Sequence, residues 1–246
     1  MSHDLVSLNM LLIGIADAEQ ELWRQGAILS RVPVDFSACD SARGIATLAG
    51  GGIDFCVLDG ALPEPVKAAA VASIKSLKPA PLMFVRAARG AARPVGMTGM
   101  LAMPANVTEA HEMVELCVRT KLPTRVLIVD DSSTMRSIVR KILSVSRFKL
   151  DLHEAGEGLA ALDRLRQEEF GLVFLDYNMP GFDGLETLSE IKRVKPNVAV
   201  VMMTTTVDKA VADRAHAQGA LGFLRKPFYP ADIDRVLDRY YGFAAA

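Results

Sequence analysis

Residues 126–131 read VLIVDD, a short apolar run that is closed by the acidic pair Asp130 and Asp131. Three more short apolar runs follow, and each also stops at polar residues: 172–175 at Asp176, 198–203 at Thr204, and 221–224 at Arg225 and Lys226. Such runs are typical of buried strands. Because open parallel sheets bind ligands outside the carboxyl ends of their strands, we expect these polar side chains to share one functional edge.

The residue types at this edge favour phosphoryl chemistry with a divalent cation. Three neighbouring carboxylates repel one another and raise the pKa of at least one of them unless a cation lies between them. Mg²⁺ suits the site, because it binds one or two carboxylates together with waters and phosphate oxygens. Asp176 can then act as the nucleophile, and Thr204 and Lys226 can bind the oxygens of the phosphoryl group.

Four motifs resemble the receiver domain of response regulators of the CheY type: VLIVDDSSTMRSIVRKIL at 126–143, LVFLDYNMPGFDG at 172–184, VVMMTTTVD at 200–208, and GFLRKPF at 222–228. Asp176 precedes Thr204 by 28 residues, and Thr204 precedes Lys226 by 22, both close to the spacing in that family. The resemblance covers the second half of the chain.

The resemblance implies a two-component response regulator in which Asp176 accepts a phosphoryl group from a histidine kinase or a phosphotransfer protein. It also implies the remaining ligands and roles. Mg²⁺ would bind Asp130, Asp131, Asp176 and the main-chain carbonyl of Asn178. Thr204 and Lys226 would engage the phosphoryl group, Thr204 and Phe223 would form the conformational switch, and the peptide bond between Lys226 and Pro227 would be cis.

The same resemblance implies an output face on the fourth helix, fifth strand and fifth helix of this half, comprising residues 208–218, Phe223 and residues 232–241. We expect output through a downstream protein, a homodimer or a change between domains, since no separate effector domain follows residue 241. A phosphate sink or relay intermediate is an alternative. An Asp-nucleophile phosphohydrolase is disfavoured, because DYN at 176–178 lacks the second carboxylate of that class. We therefore expect self-phosphorylation and autodephosphorylation, but no other enzymatic activity.

The first half of the chain repeats this pattern of apolar runs and helical stretches. We predict strands at 10–15, 34–38, 53–58, 81–85 and 99–102, and helices from 16 to 28 and at 41–48, 65–77 and 107–118. Alternating strands and helices favour a parallel sheet. The prediction is therefore an α/β protein with two flavodoxin-like (βα)5 domains in tandem, at residues 1–121 and 122–246.

The first half keeps the fold pattern and loses most of the chemistry. By pattern, the expected counterparts are Asp59 for Asp176, Arg86 for Thr204, Met103 for Lys226, and Ile15 and Ala16 for Asp130 and Asp131. A metal would find only Asp59 and the offset Asp17. We expect Arg86 to form an ion pair with Asp59 and the domain to be incompetent for phosphorylation. The alternative is that Arg86 binds an anion and Asp59 reacts weakly.

Composition excludes several other classes. The 246 residues carry a net charge of about −1, which indicates neither nucleic-acid binding nor a membrane-surface patch. No apolar run approaches the length of a membrane span, and Asp4 stands where a signal peptide would be basic. The three cysteines, Cys39, Cys56 and Cys117, have no disulfide or zinc spacing. We expect a cytoplasmic protein.

Overall fold

The computed structural model describes residues 7–88, 92–181, 183–205 and 209–243. The chain forms two compact units, and the boundary between them falls between Lys121 and Leu122. Each unit is an α/β domain, and we refer to them as the first and second domains. All three cysteines are free thiols. None of the helices in the described ranges combines the length and apolar character that a membrane span requires.

The first domain contains five strands and the helices that connect them. Its elements are β1 (Leu8–Ile13), α1 (Asp17–Ile28), β2 (Val34–Cys39), α2 (Ser41–Gly50), β3 (Phe55–Asp59), α3 (Glu64–Ser73), β4 (Leu82–Arg86), β5 (Gly99–Leu101) and α4 (Val107–Lys121).

The second domain contains five strands that alternate with five helices in the described residues. Its elements are β6 (Thr124–Val129), α5 (Ser133–Ser144), β7 (Leu150–Ala155), α6 (Gly158–Gln167), β8 (Leu172–Asp176), α7 (Gly184–Val194), β9 (Ala199–Thr204), α8 (Lys209–Ala217), β10 (Gly222–Arg225) and α9 (Pro230–Tyr241).

Both sheets are parallel and have the same strand order. The first runs β2-β1-β3-β4-β5 and the second β7-β6-β8-β9-β10. In each domain the second strand lies on one side of the first strand, and the third lies on the other side. Folds of this kind bind ligands in the crevice at the point where the strand order changes direction in this way. The inner strands are largely apolar on both faces because helices cover both sides; β8, for example, is buried along its whole length. The predicted fold class is confirmed.

Several predicted boundaries shift. The helix expected at 65–77 ends at Ser73, and the one expected at 107–118 continues to Lys121, so only Leu122 and Pro123 separate α4 from β6. The described residues between β4 and β5, namely 87, 88 and 92–98, form no helix. The first domain therefore lacks, in its described part, a counterpart of α8.

Candidate functional site

Three carboxylates of the second domain converge at the carboxyl end of its sheet. Asp130 follows β6, Asp131 comes next, and Asp176 is the last residue of β8. One ligand oxygen from each lies within 4.8 Å of the others. Asp130 is 0% exposed and Asp176 is 4% exposed, whereas Asp131 lies at the surface. The cluster is thus a buried acidic site with one exposed carboxylate.

Lys226 follows β10 and places its ammonium group against two of these carboxylates. Its Nζ lies 2.6 Å from Asp130 Oδ2 and 2.9 Å from Asp176 Oδ1. Burial by itself would lower the pKa of Lys226, but its bonds to Asp130 and Asp176 outweigh burial and raise it. Lys226 is therefore a fixed cation that offsets part of the negative charge. The peptide bond to Pro227 is cis, as predicted.

Asp176 retains an unsatisfied acceptor. Burial raises the pKa of Asp176, and the carboxylate of Asp130 adds to that rise, while Lys226 opposes it. Its Oδ1 is buried and has no hydrogen-bond partner of suitable geometry, even though the ammonium of Lys226 lies nearby. Three carboxylates facing one cation leave a net negative charge. An additional hard cation with oxygen ligands fits this donor set, and Mg²⁺ is such a cation.

The other predicted site residues lie around the same edge. Thr204 is the last residue of β9 and is completely buried. Asn178 follows Asp176 in the loop after β8, where its side-chain amide lies 3.4 Å from the hydroxyl of Thr205. The role of its main-chain carbonyl as a metal ligand stays a prediction. Phe223, on β10, packs partly buried against the core, and its role as a switch also stays a prediction. Asp208 lies outside the described residues.

Local sequence explains how the loops hold this geometry. Asp130 Oδ1 accepts a hydrogen bond from Ser132 N at 2.9 Å, and Ser132, not an aspartate, caps α5 by accepting from Met135 N. Asp183 and Glu186 form a capping box at the start of α7. A Cβ at Gly184 would lie 2.6 Å from the main-chain oxygen of Asp176. Glycine therefore permits α7 to begin directly against the end of β8.

The corresponding edge of the first domain carries an internal ion pair. Arg86 Nη2 donates to Asp59 Oδ2 at 2.7 Å, as predicted. Arg86 Nε lies 3.4 Å from Glu19 Oε1, which accepts a hydrogen bond from the indole Nε1 of Trp23 at 3.1 Å. Glu19 and Trp23 are on α1, and sequence reasoning missed both. It proposed Asp17 instead, which is exposed at the start of that helix.

Three of the predicted counterparts in the first domain are wrong by one residue. Gly14 N donates to the carbonyl of the last residue of β2, Cys39, as Asp130 N donates to that of the last residue of β7, Ala155. Gly14 and Ile15, not Ile15 and Ala16, therefore match Asp130 and Asp131. Arg86 pairs with Asp59 in the ladder where Met203 pairs with Asp176. Arg86 therefore matches Met203, and Ala87 matches Thr204. Met103, matching Lys226, is 59% exposed.

The fold and the acidic site at the carboxyl end of its sheet indicate a receiver domain, and comparison with known proteins agrees with this class. Residues 126–238 match the family model of the response regulator receiver domain. Over 119 residues the chain is 35% identical to chemotaxis protein CheY-3 of Vibrio cholerae. The aligned region covers 48% of this chain and 91% of that protein. The chain belongs to the response regulator receiver family.

Two further similarities extend beyond the second domain. The chain is 28% identical over 139 residues to the cyclic di-GMP phosphodiesterase response regulator RpfG of Xanthomonas campestris, covering 56% of this chain and 37% of that protein. A solved structure described as a probable two-component system response regulator/GGDEF domain protein covers 96% of this chain, with 98% of its own length, 21% identity and a TM-score of 0.52. This last likeness concerns the fold of nearly the whole chain.

Proposed function

We propose that this response regulator accepts a phosphoryl group on Asp176, with Mg²⁺ bound by Asp130, Asp131 and Asp176 and with a histidine kinase or phosphotransfer protein as donor. The single observation that carries the proposal is the convergence of the three carboxylates within 4.8 Å beside Lys226. The buried Oδ1 of Asp176, which forms an ion pair with Lys226 but no hydrogen bond of good geometry, supports it, because a buried acceptor is costly unless its hydrogen-bonding capacity is filled.

The chemistry requires little of the protein beyond position and charge. A carboxylate oxygen of Asp176 attacks the phosphorus, the bond from phosphorus to the donor atom breaks, and its electron pair leaves with the donor. Asp176 needs no general base, because its reactive form is the ionised carboxylate. Mg²⁺, when bound, would neutralise charge on the phosphoryl oxygens.

Lys226 and Thr204 complete the binding of the phosphoryl group in this proposal. The ammonium of Lys226 already lies within 2.9 Å of Asp176, so it is placed to contact an oxygen of a group attached there. Thr204 ends the strand next to β8, and its hydroxyl would bind another oxygen. An acyl phosphate of this kind carries a charge near −2 in place of the single negative charge of the carboxylate, and the switch residues Thr204 and Phe223 would transmit that change.

The proposed output face lies on α8, β10 and α9. A groove of about 660 Å³ opens on this face and is lined by residues that include Phe223, Lys226, Tyr229 and Arg235. Because Lys226 contacts both the acidic site and this groove, a change at Asp176 can reach the face through one side chain. We infer output through contact with a downstream protein or a second copy of the chain.

The first domain does not accept phosphate in this proposal. Arg86 already neutralises Asp59 and lies close to Glu19, and Gly14 stands where the second domain has Asp130. The first domain would thus be a degenerate receiver whose ion pair occupies the place of a metal.

The test is modification of the whole chain by acetyl phosphate with Mg²⁺, followed by intact-mass spectrometry. We expect one phosphoryl group on the wild type and on Asp59→Asn, and none on Asp176→Asn. Modification that persists in Asp176→Asn and is lost in Asp59→Asn would reverse the assignment. Sustained turnover of a generic phosphomonoester would point to a phosphohydrolase instead.

A further inference from the structure

Arg136 connects the acidic loop of the second domain to its edge strand. From α5, its Nη1 donates to the main-chain oxygen of Asp130 at 2.7 Å and lies 3.4 Å from that of Asp131. Its Nε donates to Glu154 Oε2 on β7 at 3.1 Å. One guanidinium group therefore binds the backbone of both loop aspartates and a carboxylate on the neighbouring strand.

The position of this cation is unfavourable for the helix itself. Arg136 is the fourth residue of α5, which begins at Ser133, and a positive charge near a helix N-terminus opposes the helix dipole. The bonds to the loop carbonyls and to Glu154 compensate for this effect. The Arg136 side chain is 18% exposed. Its position is therefore explained by its bonds to the loop and to Glu154, and not by any stabilisation of the helix.

We propose that Arg136, oriented by Glu154, is a positioning residue for the metal-binding loop. The inference rests on the proposed function, since it names what keeps the Mg²⁺ ligands converged. Arg136 fixes the carbonyl of Asp130, while Ser132 N fixes its carboxylate Oδ1. Lys226 Nζ holds the other carboxylate oxygen, Oδ2, at 2.6 Å, so Arg136 contributes by fixing the main chain from which this side chain extends towards Asp176. Groups that orient metal ligands in this way typically change metal affinity by about 10- to 100-fold.

Charge and position predict opposite outcomes when Arg136 is removed. If its cation acted mainly through the field at the site, removing it would strengthen Mg²⁺ binding, because like charges repel. If it acts by orienting the loop, removing it weakens Mg²⁺ binding. The sign of the change in affinity therefore decides between the two.

Arg140 provides a matched control on the same helix. Its Nε pairs with Oε1 of the same Glu154, and its Nη2 donates to Leu152 O at 3.0 Å. Arg136→Met and Arg140→Met thus each remove one arginine partner of Glu154, but only Arg136→Met removes the bonds from Nη1 to the loop carbonyls. We would titrate Mg²⁺ into each whole-chain variant by isothermal calorimetry, after matching their folding by circular dichroism.

We expect Arg136→Met to weaken Mg²⁺ binding about tenfold and Arg140→Met to change it less than twofold. Arg136→Lys, which keeps the charge and one donor, should fall between Arg136→Met and the wild type. Equal affinities for Arg136→Met and the wild type, tighter binding, or equal losses in both arginine variants would overturn the inference. If Arg136→Met does not fold, Arg136→Lys and Glu154→Gln decide it: both should bind Mg²⁺ more weakly than Arg140→Met.

The two proposals fail differently. If the wild type itself binds no Mg²⁺ and takes no phosphoryl group, the proposed function is wrong. If the wild type binds Mg²⁺ and is modified at Asp176, but Arg136→Met matches Arg140→Met, then only the role of Arg136 is wrong.

Discussion

Each of the two domains has an aspartate at the end of the third strand of its own sheet, but the two domains balance the charge of that aspartate in different ways. In the second domain, Asp176 lies with Asp130 and Asp131 beside the ammonium of Lys226. In the first, Asp59 and Glu19 both lie against Arg86. Three carboxylates lie beside Lys226 in the second site and two lie against Arg86 in the first, so the second has the larger excess of negative charge. The fold can therefore be kept while its need for an external cation is reduced.

The loops that follow Asp176 and Asp59 reinforce this difference. Seven residues, 177–183, separate β8 from α7, whereas four residues, 60–63, separate β3 from α3. The longer loop contains Asn178, the predicted carbonyl ligand. Beside the shorter one, Lys67 of α3 donates to Gly60 O at 3.1 Å, so a helix side chain binds the main chain of that loop. The shorter loop of the first domain therefore leaves less space for a ligand and is held by contacts within the domain.

Exchanging the lysine and methionine at the matching positions gives the largest expected effect. Lys226→Met removes the ammonium from the second site, and we expect the rate of modification by acetyl phosphate to fall by roughly 10²- to 10³-fold. Met103→Lys adds a cation to the first domain, but no modification of Asp59 should follow, since Arg86 still occupies its carboxylate. Quantitative intact-mass time courses measure both. Phosphorylation of Asp59 in Met103→Lys would contradict the view that the ion pair silences the domain.

Removing the internal cation of the first domain should cost stability. Arg86→Met leaves Asp59 and Glu19, 14% and 10% exposed, without their shared partner. A loss of about 3 kcal/mol is expected, because an uncompensated buried charge is strongly unfavourable. Urea denaturation followed by the fluorescence of Trp23, the single tryptophan of the chain, reports on this domain. Unchanged stability would mean that solvent already compensates the two carboxylates.

The two aspartates should respond with opposite signs to the same substitution. Asp59→Asn breaks an ion pair and should destabilise the first domain by about 2 kcal/mol. Asp176→Asn should stabilise the second domain in metal-free buffer, because burial raises the pKa of Asp176 and its ionised form therefore opposes folding at neutral pH. The stability conferred by the protonated form is present below the unfolded pKa and is lost as pH rises through the folded pKa. The benefit of Asp176→Asn should accordingly shrink at acidic pH.

Chemical denaturation in EDTA, at neutral and at acidic pH, measures this pair of effects. Circular dichroism follows both domains, and Trp23 emission follows the first. If Asp176→Asn destabilises the protein at neutral pH, Lys226 compensates the charge of the Asp176 carboxylate more fully than the raised pKa of Asp176 indicates.

The sequence predicted the second site well because its residues follow strands directly. Where an apolar run stops at Asp130, Asp176 or Thr204, parallel pairing alone brings the run ends to one edge. The first domain was harder to align. Its apolar run continues through Ile15, although β1 ends at Ile13 and Gly14 turns the chain with a φ of 75°. Arg86 is the first polar residue after its run, yet it still pairs within the ladder.

Side chains that reach the sites from helices could not be predicted in this way. Glu19 and Arg136 lie on α1 and α5, and nothing in their local spacing indicates which strand end they approach. Their partners are set by how the helix packs across the sheet, which depends on contacts distant in sequence. The one local signal was a cation in the first turn of α5, which opposes the helix dipole and so points to a compensating partner.

The smallest expected effect concerns Trp23 during activation of the second domain. Trp23 is completely buried and its indole bonds to Glu19, so its emission responds to changes around Arg86 and Asp59. We expect Mg²⁺ with beryllofluoride to leave that emission unchanged in the wild type, whereas Asp59→Asn should shift it without any ligand. Suppose instead that emission changes in the wild type and stays constant in Asp176→Asn. The first domain would then respond to phosphorylation of the second, and its ion pair would be a receiver of that signal rather than a silent replacement for the metal.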